Sequence, residues 1–274
     1  MPISFSPSYE ALFGDMLADV AAWKPRRGAP PSLTACWTEC GDSYVPGEGL
    51  LVLGRATNGF IVDLTVDQLA SADIRRQKLQ EIRATAEGTP TVRPLSWVDA
   101  IGDIDPSKAR KRALGGTIGS RSAFWRVTRA LLKEMTPGLP AVGWSQHLAW
   151  GNLCKIAPNV HGTGSEGANP SWSLMKRQLD HCTALIGQEV RESRPRVVLV
   201  IAGRWWYNLF APGLGLQLVP RDGAKYVGHV ATEPDGRLWI FTERPEHRPQ
   251  DAFVAELCGT YHEHRQNGIC QPGV

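Results

Sequence analysis

Leu50-Leu51-Val52-Leu53-Gly54-Arg55-Ala56-Thr57-Asn58-Gly59-Phe60 is an apolar run that ends on a glycine, turns within a few small residues and meets a second glycine. Four consecutive apolar side chains need cover on both faces, so the run reads as a short buried strand of an α/β sheet. The turn after Gly54 then lies at the strand's carboxyl end. Parallel sheets bind their ligands there, because strand ends present backbone N–H groups and turn side chains to one crevice. The fold and the first candidate site both follow from this stretch.

Working outward, Tyr9, Leu12, Met16, Val20 and Trp23 fall near helical spacing and predict a helix over 8–23, ended by the basic, proline-rich stretch from Pro25 to Pro31. Residues 66–87 read as one helix with a charged face carrying Arg75, Arg76, Lys78, Glu81 and Arg83. Residues 88–120 read as irregular, with Lys108, Arg110, Lys111 and Arg112 ahead of Gly115-Gly116 and Gly119. A helix follows over 121–135, with Phe124, Val127, Leu131 and Met135 on its apolar stripe. Next come a strand over 147–154, a glycine-rich loop from His161 to Asn169 and a helix over 171–193. Val197 to Ile201 is a second buried strand ending at Gly203, after which Trp205 and Trp206 open a helix and read most simply as core, with one of them placed by the strand end to line the pocket as the alternative. Strands at 226–231 and 237–242, the stretch Glu243-Arg244-Pro245-Glu246-His247-Arg248-Pro249 and a helix over 250–266 complete the chain. Alternating strands and helices predict an α/β fold: a central, mostly parallel sheet flanked by helices on both faces. No repeat or linker divides it, so the expectation is one domain over 1–274 with an N-terminal helical extension over about 1–44.

With 274 residues the chain is long enough for a sizeable core, and 21% charged residues argue against disorder. No apolar run approaches the roughly 18–20 residues of a spanning helix, and no basic start leads into an apolar core, so a cytoplasmic, membrane-free protein is expected. A net charge of +3 permits nucleic-acid binding without requiring it. The cysteines Cys36, Cys40, Cys154, Cys182, Cys258 and Cys270 read as reduced thiols.

Four segments stand in a telling order. They are Ala56-Thr57-Asn58-Gly59-Phe60, then Trp150-Gly151-Asn152-Leu153-Cys154-Lys155, then Pro195-Arg196-Val197 through Gly203, and finally Arg244-Pro245-Glu246-His247. Over roughly 45–260 the chain resembles the uracil-DNA glycosylase superfamily, in a divergent branch with an "ETNGW"-like first motif and a "W-x-N-L-x-K" second motif. The resemblance implies a uracil-DNA glycosylase-like fold, DNA as partner, and a base flipped from the stack for hydrolysis of its N-glycosidic bond. Asn152 would read the base, with Phe60 or Trp125 stacking on it. Arg244 and His247 would sit on the loop that enters DNA, His247 acting in catalysis. Arg55, Lys155, Arg121 and Lys111 would meet the backbone.

The departures from the family pattern shape the expectation. The usual water-activating carboxylate positions hold Arg55 and Ala56, leaving Asn58 or Asp63 to hold the water. With the open loop from His161 to Asn169, this favours a target bulkier than uracil. Modified pyrimidines, such as the glucosylated hydroxymethylcytosines of phage DNA, are excised by some relatives in antiviral defence. The alternatives are uracil excision in DNA repair, a catalytically silent DNA-binding member of the fold, and an unrelated α/β hydrolase or nucleotide-binding enzyme. No cofactor is expected for the chemistry. The lesser alternative is an iron–sulfur cluster at Cys36, Cys40, Cys154 and Cys182, whose layout imitates the family's iron–sulfur branch with one spacing a residue too long.

Overall fold

The structure, a computed structural model, describes residues 4–24, 32–56, 62–88, 93–99, 122–159 and 169–269. In chain order its elements are α1 (Pro7–Ala21), β1 (Leu33–Ala35), β2 (Glu39–Cys40), β3 (Leu50–Ala56), β4 (Asp63–Leu64), α2 (Val66–Ala70), α3 (Ala72–Glu87), α4 (Ser96–Asp99) and α5 (Ala123–Met135). They continue with β5 (Leu148–Cys154), β6 (Ile156–Pro158), α6 (Trp172–Ser193), β7 (Val197–Ile201), α7 (Arg204–Phe210), β8 (Val219–Pro220), β9 (Val227–Thr232), β10 (Leu238–Thr242) and α8 (Gln250–Ile269).

The fold is mixed α/β. Among the described residues, seven strands form the main sheet in the order β2-β5-β3-β7-β10-β9-β8, and β4-β1-β6 form a small antiparallel sheet. The pairs β3–β5, β3–β7 and β7–β10 are parallel, whereas β2–β5, β9–β10 and β8–β9 are antiparallel. The expectation of a mostly parallel sheet therefore holds only at the centre. Its correction was open to argument: only Glu233 to Arg237 link β9 to β10, far too little chain for a crossover, so the two strands fold back as a hairpin.

Every residue of β5, β7 and β10 is buried, as are Leu50 to Gly54 of β3. Because successive side chains point to opposite faces, such burial means that both faces are covered. At β5 the covering helices are distinct. Phe124 of α5 stands 3.7 Å from where a Cβ on Gly54 would lie, on the face of Asn152. On the other face, Gly151 lies beside Lys155, which pairs with Glu189 of α6. Helix α6 also packs on α1, and α5 on α8.

Three sequence expectations change. The N-terminal 44 residues are not a purely helical extension, since β1 belongs to the small sheet and β2 edges the main one. The helix expected over 66–87 is two helices: Ser71 adopts an extended backbone, closes α2 and caps α3 through Ile74 N–H. On α5 the buried side chains include Trp125, Val127, Thr128 and Leu131, while Phe124 is only half-buried.

Glu39 on β2 is the polar residue that ties the edge of the sheet to α4. Its carboxylate accepts from Leu95 N–H at 2.8 Å and from Trp97 Nε1 at 3.3 Å, and it is 4% exposed. Burial pushes its carboxyl up to about 7. The unfolded chain then binds fewer protons than the native one between about pH 4.5 and 7, so stability falls as pH rises through that window and is level above it. The loss amounts to about 3 kcal/mol. Glu39→Gln is expected to flatten this slope, measured as urea unfolding across the window; parallel slopes for the two proteins would refute the assignment.

Candidate active site

The four central strands end at one edge. Gly54 of β3 is in register with Asn152 of β5, Leu53 with Val200 of β7, and Ile201 of β7 with Thr242 of β10. The chain therefore brings Asn152, Gly54-Arg55, Ala202-Gly203 and Glu243-Arg244 to the same rim. The strand order also reverses here, because β5 joins β3 on one side and β7 on the other. Pairing of β3 with β5 continues to Ala56–Cys154, whereas pairing with β7 stops at Leu53–Val200. Beyond that point the ladder between β3 and β7 ends, and strand ends at such a switch point are where α/β sheets bind ligands. Arg55 spans the gap, its Nε donating to Ala202 O at 2.5 Å.

Asn152 is 2% exposed and its amide has a fixed orientation. Cys36 donates its thiol proton to Trp37 O, so its sulfur is left to accept from Asn152 Nδ2 at 3.1 Å. Burial pushes the Cys36 thiol up to about 12, keeping it protonated and in that role. Asn152 Oδ1 consequently faces Gly54, where it lies 2.5 Å from the position of a Cβ. Only glycine leaves room for the amide there. The same face carries an aromatic cluster in which Trp125 meets Trp97, Phe124, Trp144 and Trp150 at centroid distances of 4.8–6.3 Å. Trp125 is a core ring with its neighbours in place, so the stacking role expected of it is not what the packing favours. Phe124, half-buried beside Gly54, is the ring placed near the amide.

On the far side of the crevice, Arg55 has its guanidinium 5.8 Å from the centre of the Trp206 ring. Burial, and secondarily Arg244 nearby, lowers the Arg55 pKa from its ordinary value. Glu243 is half-buried, and its Oε2 lies 3.5 Å, and Arg55 Nη2 3.1 Å, from where a Cβ on Gly203 would stand. Gly203 has φ +84°, so this close approach also requires a glycine backbone. Glu243 is the carboxylate that sequence reasoning missed. It stands immediately before the quoted last motif, Arg244-Pro245-Glu246-His247, and outside it. Arg244 is exposed and held by Glu246 through two contacts of 2.8 and 3.0 Å. His247 is exposed at a turn with φ +62°.

Other expected site residues lie elsewhere. Lys155 is not a DNA contact: it is fully buried, with Nζ 2.6 Å from Glu189 Oε1 and 3.4 Å from Thr38 Oγ1. Tyr9 OH donates to the same Glu189 oxygen at 2.5 Å. Asp63 is on β4 of the small sheet, where its carboxylate accepts from Ser32 Oγ and Asn159 Nδ2. Asn58, Phe60, Lys111 and Arg121 lie outside the described residues, as do Lys108, Arg110, Arg112, Cys270 and residues 161–168 of the glycine-rich loop.

Cys36, Cys40, Cys154 and Cys182 are all buried, and burial raises every one of these thiols, Cys182 to about 12. Among the described residues no group of three or more His, Cys, Asp or Glu side chains is placed so as to hold a metal ion. Cys182 instead accepts from Lys155 N–H and stands beside Gln178, stitching the end of β5 to α6. Among the described residues no helix is long and apolar enough to cross a membrane. No protein-family model and no curated protein matches the chain.

Proposed function

We propose that the protein is a monofunctional DNA glycosylase acting on a nucleotide turned out of the helix into the crevice between β3 and β7. The observation that carries this reading is the meeting of Asn152, Arg55, Glu243 and Arg244 on one rim of the sheet. In this role Asn152 Oδ1 accepts from the base, either the amino group of a cytosine derivative or the ring N–H of uracil. Phe124 lies where a ring can stack on that base. Arg55 and Arg244 supply positive charge for flanking phosphates, with Arg244 leaving Glu246 to do so. His247 stands on the same loop, at the DNA entry.

Glu243 takes the water side. A water oxygen bonds to the sugar C1′, its proton passes to Glu243, and the C1′–N bond breaks with its electron pair leaving on the base. The product is an abasic site and a free base that takes up a proton. A bulky modified pyrimidine is the favoured substrate on the family resemblance, with uracil as the competitor.

The test is incubation with DNA carrying glucosylated hydroxymethylcytosine, uracil or neither, followed by alkali and strand analysis. Breaks at the modified base are expected, reduced about a hundredfold by Glu243→Gln. Retention on DNA without breaks would leave a silent binder. Unchanged breakage in the variant would remove Glu243 from the water side.

A further inference from the structure

Two large rings stand in solvent near the crevice. Trp172, at the start of α6, is 46% exposed, and Trp205, at the start of α7, is 58% exposed. Their centroids are 5.9 Å apart. Single exposed tryptophans are ordinary, but this pair belongs to a continuous series. Lys176 Nζ lies 5.1 Å from the Trp172 ring centre at the outer end. Trp205 meets Trp206 edge-on at 5.3 Å, and Trp206 carries Arg55 at the inner end. The series thus runs cation, ring, ring, ring, cation from the surface to the rim where Arg55 bridges β3 and β7.

Sequence reasoning placed both Trp205 and Trp206 in the core, and only Trp206 is there. Burying Trp205 would remove a large apolar area from water, yet the first turn of α7 turns it outward against another exposed ring. A solvent-facing pair of this kind suits flat, apolar ligands that bring negative charge with them. Unpaired bases joined by phosphates fit both requirements: the bases meet the ring faces and the phosphates meet the cations.

We propose that Trp172 and Trp205, with Lys176 outside and Arg55 inside, form a stacking platform for unpaired bases of the DNA strand next to the nucleotide in the crevice. This rests on the glycosylase reading for its ligand class, and it adds a preference for locally unpaired DNA.

The test uses the full chain and a fluorescein-labelled homopolymer strand of deoxythymidine, with anisotropy for affinity and tryptophan quenching for ring contact. Trp172→Ala/Trp205→Ala is expected to weaken single-strand binding by more than about tenfold and to reduce the quenching. Trp172→Phe/Trp205→Phe should stay within about threefold, since a phenyl ring still stacks. Both side chains are exposed, so thermal melting of the variants should match the parent. Wild-type affinity in the alanine variant, or an absence of single-strand binding by the parent, would overturn the platform. Excision is scored separately on a plain duplex carrying the target base. Loss of platform dependence with excision intact ends only this proposal, and no excision with ring-dependent binding intact ends only the glycosylase chemistry.

Discussion

Asn152→Ala is expected to lower base excision by about a hundred- to a thousandfold while leaving DNA affinity within a few-fold. The reason is geometric. The amide is buried and oriented by the Cys36 sulfur, so the direction of its oxygen is set before a ligand arrives. The phosphate contacts proposed for Arg55 and Arg244 are untouched, which is why affinity should persist. Gly54→Ala supplies an independent arm. It keeps the amide but places a Cβ 2.5 Å from Oδ1, so the side chain must shift and excision should fall with Asn152 still present. Single-turnover excision with saturating protein reads both variants, and thermal melting confirms that they remain folded. Full excision by Asn152→Ala would discard the reading role outright.

The second large effect is on stability. Lys155→Met is expected to cost about 3–5 kcal/mol and to lower the melting temperature by on the order of ten degrees. The variant leaves the Glu189 carboxylate in the interior without its cation, facing Tyr9 OH alone on one oxygen, while Oε2 has no partner among the described residues. Removing both charges, as in Lys155→Met/Glu189→Leu, should recover most of the loss, because the desolvation of the pair disappears together with its attraction. Denaturant unfolding of the parent, both single variants and the double variant forms a closed cycle. A single variant as stable as the parent would show that the pair contributes nothing to the fold.

The central strands and long helices were legible because their signals are long. Val197 to Ile201 and Leu50 to Leu53 are continuous apolar runs, and Met175, Cys182, Ile186 and Val190 repeat at helical spacing. The missed strands β1, β2, β4, β6 and β8 span only two or three residues each, too short for any period to register. Ser71 was read as one polar position in a charged helix, although serine is a helix cap as readily as a surface residue. Lys155 was misread for a different reason. Lysine is seldom buried without a partner, and its partner Glu189 lies on another element, invisible until α6 is laid across the end of β5. The rim residues Asn152, Arg55 and Arg244 stood out through motif order, whereas Glu243 and Phe124 enter only through their close approach to Gly203 and Gly54, which tertiary packing sets.

The parting of β3 from β7 beyond Leu53 and Val200 leaves the sheet open at its carboxyl rim, with the Arg55 guanidinium reaching across to the Ala202 carbonyl. Beyond the last backbone pair the link between the two strands is therefore a side chain on a carbonyl and not the backbone ladder. A ligand at this rim either keeps that bridge or displaces it, while the backbone pairs from Leu50–Val197 to Leu53–Val200 hold the two strands together in both cases.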